Sequence, residues 1–116
     1  MEISEYIEQV KTSPENLEFN DLMALIEAKY TFTPTEFSNG DLLNKADQNQ
    51  GSCKLFSFAK LNGLSKEETL ACFGVFYRDD VLQNPEADNH QNIRNFMQSG
   101  WDGIQFSSDA LEKNAL

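Results

Sequence analysis

Apolar positions at helical spacing appear first at Ile3, Ile7 and Val10, with Tyr6 beside them, and predict a short amphipathic helix over residues 2–12. Ser13-Pro14 breaks it. Asn20 has the chemistry of an N-cap, and Leu22, Met23, Leu25, Ile26 and Tyr30 line one face of a second helix to about residue 30. The period then falls from helical to alternating. Thr31-Phe32-Thr33-Pro34-Thr35-Glu36-Phe37 is β-branched and aromatic, which predicts an edge strand because Pro34 has no N–H for a ladder. Asn39-Gly40 closes it as a turn, and residues 41–46 leave room for one helical turn.

The second half is more apolar. Ser52 is placed to cap a helix from Cys53 to about Asn62, on which only Lys54, Ser57 and Lys60 interrupt the buried surface. Gly63 stops it. Ser65 and Glu68 form a capping box for a helix carrying Leu70, Cys72, Phe73, Val75, Phe76 and Tyr77, expected to be the central helix and to end near 79–82. Asn84-Pro85 reads as a loop. Asp88 is placed to cap a last helix with Ile93, Phe96 and Met97 inward and Gly100 as its stop. Trp101-Asp102-Gly103 reads as a turn, and Ile104–Phe106 as a strand able to pair with 32–37. The fold class expected is α+β: one mainly helical domain of about five helices with a small two-stranded ribbon. Residues 1–106 make the domain, and 107–116 a polar, frayed tail.

A chain of 116 residues suits one domain with its own core. Its net charge of −10, from 19 acidic and 9 basic residues, changes what it can bind. Nucleic acid and anionic membrane surfaces both require clustered cations, and none occurs. The front is the most acidic part: Glu2, Glu5, Glu8, Glu15, Glu18, Asp21, Glu27 and Glu36 stand against Lys11 and Lys29 within residues 1–36. A protein partner with a basic surface would meet that face. The start, MEISEYIEQV, has neither the basic nor the apolar block of a secretory signal, so the cytoplasm is the expected compartment. Cys53 and Cys72 lie in apolar segments and read as buried thiols.

Candidate chemistry gathers around few residues. Cys53, in a first helical turn beside Lys54, has a setting that favours a thiolate. NQGSCKLFSFA around it invites comparison with a papain-type nucleophile, but Lys54 stands where that pattern has another residue. The chain beyond Cys53 is also too short for that family's distant histidine. His90 is the single histidine, and Asp88, two residues ahead of it, is close enough to orient its imidazole. Cys53, Cys72, His90 and Asp80 or Asp88 have metal-ligand chemistry but lack paired spacing, so no metal or other cofactor is called for. Arg78 and Arg94 either pair with Asp79, Asp80 or Asp88 to bridge helices, or line a polar pocket for a small anion. The candidate pocket is therefore Cys53, Arg78, Asp80, Asp88, His90, Asn92 and Arg94. Asn39, Asn44, Asn49, Asn84 and Asn89 read as loop scaffolding. Walker, dinucleotide, EF-hand and nucleophile-elbow patterns are absent.

Taken together, YTFTPTEFSNG, NQGSCKLFSFAKLNGLSKEETLACFGVFYRDDVLQNP and DNHQNIRNFMQSGWDGIQF resemble the HopJ type III effector family of bacteria, over about residues 17–106. The resemblance implies a relative of proteins delivered by a type III secretion apparatus, and brings no agreed catalytic residues to carry over. The functional expectation is a non-enzymatic, acidic protein-binding domain. The alternative is a small ligand-binding domain or enzyme using the Cys/His/Arg pocket. A secretion chaperone would fit the size and acidity, but the pattern is too helical for one.

Overall fold

The computed structural model describes residues 1–114, and element α1 (Ile3–Thr12) opens the chain where the helical period predicts it. The Glu2 amide donates to Glu5 Oε1 at 2.7 Å, closing a capping box, while Tyr6 and Val10 turn inward. After a 3₁₀ turn at Pro14–Asn16, α2 runs Phe19–Lys29 with Leu22, Leu25 and Ile26 buried. Its N-cap is Glu18 rather than Asn20. Phe19 belongs to the helix because its ring packs on Phe73 and Phe76, at centroid distances of 6.1 and 5.5 Å.

The expected strand over 31–37 divides in two around Pro34. β1 (Tyr30–Phe32) and β2 (Phe37–Asn39) enter different sheets. Gly40, at φ +61, begins a two-residue turn that pairs β2 with β3 (Leu42–Asn44), so a strand stands where one helical turn was expected. β4 (Ile104–Phe106) pairs with β2, Phe37 opposite Phe106, giving the order β3-β2-β4. Instead of one two-stranded ribbon there are two small antiparallel sheets. The second comes from residues read as a frayed tail: β5 (Leu111–Lys113) pairs with β1, with Phe32 opposite Leu111. Ala110 and Leu111 are buried, which explains why this stretch is ordered despite its polar neighbours. Residues 115–116 of that tail lie outside the described residues.

α3 (Gln50–Leu61) is the helix around which the rest packs; Cys53, Leu55, Phe56, Ser57, Phe58 and Ala59 are all buried. Phe56 lies at the hub of the aromatic core, with Phe37, Phe73, Phe96 and Trp101 around its ring at 4.9–6.3 Å. Burying one such ring contributes about 1.5–3 kcal/mol. Phe58 meets Tyr6 and Tyr30 edge-on on its other side, joining α1 and β1 to the same core.

The helix expected to be central is interrupted. Ser65 accepts the Glu68 amide as predicted, but α4 covers only Lys66–Ala71. Gly74 then takes φ +63, and the chain resumes as a π-helical turn at Phe76–Val81. α5 (Gln91–Ser99) buries Ile93 and Phe96 and ends at Gly100. Trp101 follows on a 3₁₀ turn, 5.1 Å from the Phe96 ring, its indole N–H donating to the Leu64 carbonyl at 3.1 Å. The mainly helical α+β class holds, with a Cα radius of gyration of 13.4 Å. That value matches the roughly 13 Å of a single domain this long.

Candidate functional site

Two helices begin in an unusual way and at the same place. Asn49 enters α3 at φ 50 and His90 enters α5 at φ 53; among the described residues these are the two non-glycine positions in left-handed conformation. Ser52 and Asp88 were the expected caps. Asn49 holds this position because asparagine tolerates left-handed backbone and because its side chain is tied elsewhere. Its Nδ2 donates to Asn44 Oδ1 at 2.7 Å. Neither helix has a side-chain cap, and first-turn amides have no intrahelical acceptor.

Beneath these two starts lies a buried asparagine network. Asn92 Oδ1 accepts from Asn39 Nδ2 and Asn44 Nδ2, each at 3.1 Å, and Asn92 Nδ2 donates to Asn44 Oδ1 at 2.9 Å. Asn39 Nδ2 also reaches the Asn92 carbonyl at 2.8 Å, and Asn95 Nδ2 the Asn39 carbonyl at 3.0 Å. These bonds lock β2 and β3 to the starts of α3 and α5. Asn39 and Asn44, expected as loop scaffolding, instead stand buried in β2 and β3 as the strand side of this network; Asn92 was expected in the pocket and does both jobs.

Above the network opens a cleft of about 550 Å³. Asn49, Gly51 and Ser52 from α3 face His90, Gln91 and Asn92 from α5 across it. Phe19, Phe73 and Phe76 form its aromatic wall. The π-helical turn completes the site: it exposes Phe76 and swings Asp80 toward α5, where Asp80 Oδ2 lies 3.1 Å from His90 Nε2. The His90 ring also lies 5.4 Å from that of Phe76. The imidazole is thus held by a carboxylate on one nitrogen and by an aromatic face, leaving Nδ1 uncommitted.

The seven expected pocket residues separate. His90 and Asn92 line the cleft, and Asp80 supports it through His90. Cys53 points into the core, 1% exposed, with Sγ 3.5 Å from the Thr35 carbonyl. Burial pushes its thiol pKa up, against smaller opposing effects of the Thr35 backbone, Ser57 and Lys54. The first-turn setting that suggested a reactive thiolate is outweighed by desolvation. Cys72 is likewise buried, its thiol pushed up to about 11 chiefly by burial. Arg78 and Arg94 leave the acidic residues alone. Arg78 Nη1 donates to the Leu17 carbonyl at 2.9 Å, tying the π-helical turn to the chain before α2. Arg94 binds the Asn89 carbonyl and side chain at 2.6 and 2.8 Å, clasping the loop ahead of α5. Asp88 stays exposed, its carbonyl accepting from Gln91. Arg94 satisfies carbonyls of the irregular 72–90 segment and Arg78 one ahead of α2, so neither bridges helices through a carboxylate.

Phe19, Asn49, Ser52 and Phe76 were missed as cleft residues. Their signal was weak: Phe76 read as part of an apolar helix, Phe19 fell ahead of the expected start of the second helix, Ser52 read as a cap, and Asn49 as one asparagine among many. Among the described residues no three His, Cys, Asp or Glu side chains stand together, and no helix is long and apolar enough to cross a membrane.

Among curated proteins, none matches the chain. A solved structure, described as the crystal structure of the unknown-function protein VPA0580, is similar at 54% identity and a TM-score of 0.96, covering 98% of this chain and 95% of that one. The family model described as HopJ type III effector protein matches residues 3–111. That match spans nearly the whole fold, including the β3-β2-β4 sheet and every element of the cleft, and the chain belongs to the HopJ type III effector protein family.

Proposed function

We propose that this family member is a binding domain, and that its binding surface is the cleft between the starts of α3 and α5. One observation carries the reading. A single open volume of about 550 Å³ collects an aromatic wall, an imidazole oriented by Asp80, and the starts of two helices without side-chain caps. Ligand sites have this combination of size, apolar walls and few convergent polar groups. The ligand that fits has a flat apolar part to lie on Phe19 and Phe76, and an acceptor group to face the helix starts and His90. Benzoate and phenyl phosphate are suitable probes. Titration of the labelled chain at millimolar concentration should shift the amides of residues 49–52 and 90–93, and Phe76→Ala should weaken the response about tenfold. Shifts confined to other regions, or unaffected by Phe76→Ala, would remove the cleft as the site.

A second reading has its own support. All eight acidic residues within 1–36 are exposed, and of these Glu2 alone, among the described residues, is in an ion pair, with Lys29. The remainder are free to attract a basic protein surface, which acts mainly through the association rate. Replacing Glu8, Glu15, Glu18 and Asp21 by their amides should then lower association with a Lys/Arg-rich peptide at low salt. An unchanged salt dependence would refute it. The family description also suggests delivery through a type III apparatus; appearance of the tagged chain outside cells with a working apparatus, and its absence without one, tests that.

A further inference from the structure

A second, smaller cavity of about 300 Å³ lies on another side of α3, between its last turns and the segment joining β4 to β5. Its wall contains Ser57, 7% exposed, whose hydroxyl has no hydrogen-bond partner. Ser57 is close enough to Cys53 to temper the rise of that thiol's pKa, but no donor or acceptor meets Oγ with hydrogen-bond geometry. A buried hydroxyl left in this state needs an explanation, because orphaned polar groups are rare and costly. One helical turn on, Lys60 stands on the same wall, its Nζ 5.8 Å from the Phe106 ring centroid. Among the described residues it forms no ion pair. Asp109 occupies the opposite segment. Phe106, Leu111 and Leu61, the last 60% exposed, supply apolar surface.

We infer that this cavity binds a free α-amino acid with an apolar side chain. The site presents one cation, one anion, a hydroxyl in need of a partner and an apolar wall, and a zwitterion answers each of them. The ligand carboxylate meets Lys60 and, as the buried Ser57 side chain rotates toward the cavity, accepts a hydrogen bond from its hydroxyl, which is stronger for a charged acceptor. The ligand ammonium faces Asp109, and the side chain lies on Phe106, Leu61 and Leu111. The whole-molecule charge favours the same class. At −10 the protein repels a simple carboxylate at long range, whereas a net-neutral zwitterion approaches without that penalty. The volume suits one small molecule and lies at the lower end for ligand pockets.

Titration of the labelled full chain with L-leucine and L-phenylalanine tests this. Shifts should fall on residues 57–61 and 106–111. Lys60→Gln, Asp109→Asn and Ser57→Ala should each weaken L-leucine binding about tenfold, the effect of losing one charged hydrogen bond. N-Acetyl-L-leucine, which lacks the ammonium, should bind more weakly and be indifferent to Asp109→Asn. The Lys60 and Asp109 substitutions are at exposed positions, so their melting curves should overlay that of the native chain. The proposal is overturned by an absence of shifts, by shifts confined to residues 49–52 and 90–93, by affinity that survives all three substitutions, or by acetylated leucine binding as tightly as leucine.

Discussion

Asn92 is a polar side chain in a position that periodicity would assign to helix core, and three side-chain hydrogen bonds make it tolerable there. Truncating it to alanine leaves the buried Asn44 Nδ2 with no partner. Asn92→Ala should therefore cost about 2–4 kcal/mol in urea unfolding, while Asn84→Ala, at an exposed loop residue, should stay within about 0.5 kcal/mol. Cys72 gives a pH prediction. The folded chain keeps it as a neutral thiol up to about 11, whereas an ordinary thiol, as in the unfolded chain, ionises from 9.0. Its contribution is complete below pH 9 and is lost as pH climbs toward 11. Tyr6, whose phenol is also raised by burial, acts in the same direction from pH 10 upward. The urea midpoint should consequently fall between pH 9 and 10.5, and less steeply in Cys72→Ala. Single residues were the hardest scale to read from sequence. The helix starts at Asn49 and His90 depend on backbone that turns left-handed to meet a distant network, and Ser52 and Asp88 offered better local capping chemistry. His90, Asn92 and Asp80 were legible as polar groups set beside core helices. Cys53, Arg78 and Arg94 were drawn in by reactive or charged side chains that the fold directs to burial or to main-chain carbonyls.

At the scale of elements, helices announced themselves through their period, because each buries a continuous stripe. Strands of three residues do not carry enough alternation to show their limits, and their partners lie far away in the chain. Pro34 gave a correct warning about pairing, but it separates two strands instead of marking one edge. Gly74 was passed over inside an apolar run. A Cβ there would stand 3.0 Å from the Leu17 carbonyl oxygen and 3.1 Å from the Phe19 nitrogen, so the break between α4 and the π-helical turn is also a close approach to the chain before α2. Gly63 has a similar φ, +67, with open space around it. The pair separates two effects: Gly63→Ala should cost about 1 kcal/mol from conformation alone, and Gly74→Ala about 2–4 kcal/mol, with crowding added. Equal melting temperatures for the two variants would show that the close approach contributes nothing.

Across the whole molecule, the class and the order of helices could be read from the pattern, while the way the chain closes on itself could not. β5 follows a polar stretch and buries little besides Ala110 and Leu111, yet it brings residue 113 opposite residue 30 and places the Asn114 amide on the Lys29 carbonyl. Leu111→Ala should lower stability by about 2–4 kcal/mol, as for other buried leucines, where a substitution in a frayed tail would do nothing measurable. Ser108→Ala, exposed a few residues earlier, serves as the comparison.

Trp101 is the chain's single tryptophan, and its surroundings make it an optical reporter of one thing only. The indole is held edge-on to Phe56 and Phe96, its N–H is bonded to a carbonyl, and it lines neither the α3–α5 cleft nor the Ser57 cavity. Its emission should move to longer wavelength when the aromatic hub comes apart and stay constant while either site fills. Intrinsic fluorescence thus gives a reading of folding that ligand titrations leave undisturbed, so a variant's loss of binding can be separated from its loss of structure in the same cuvette.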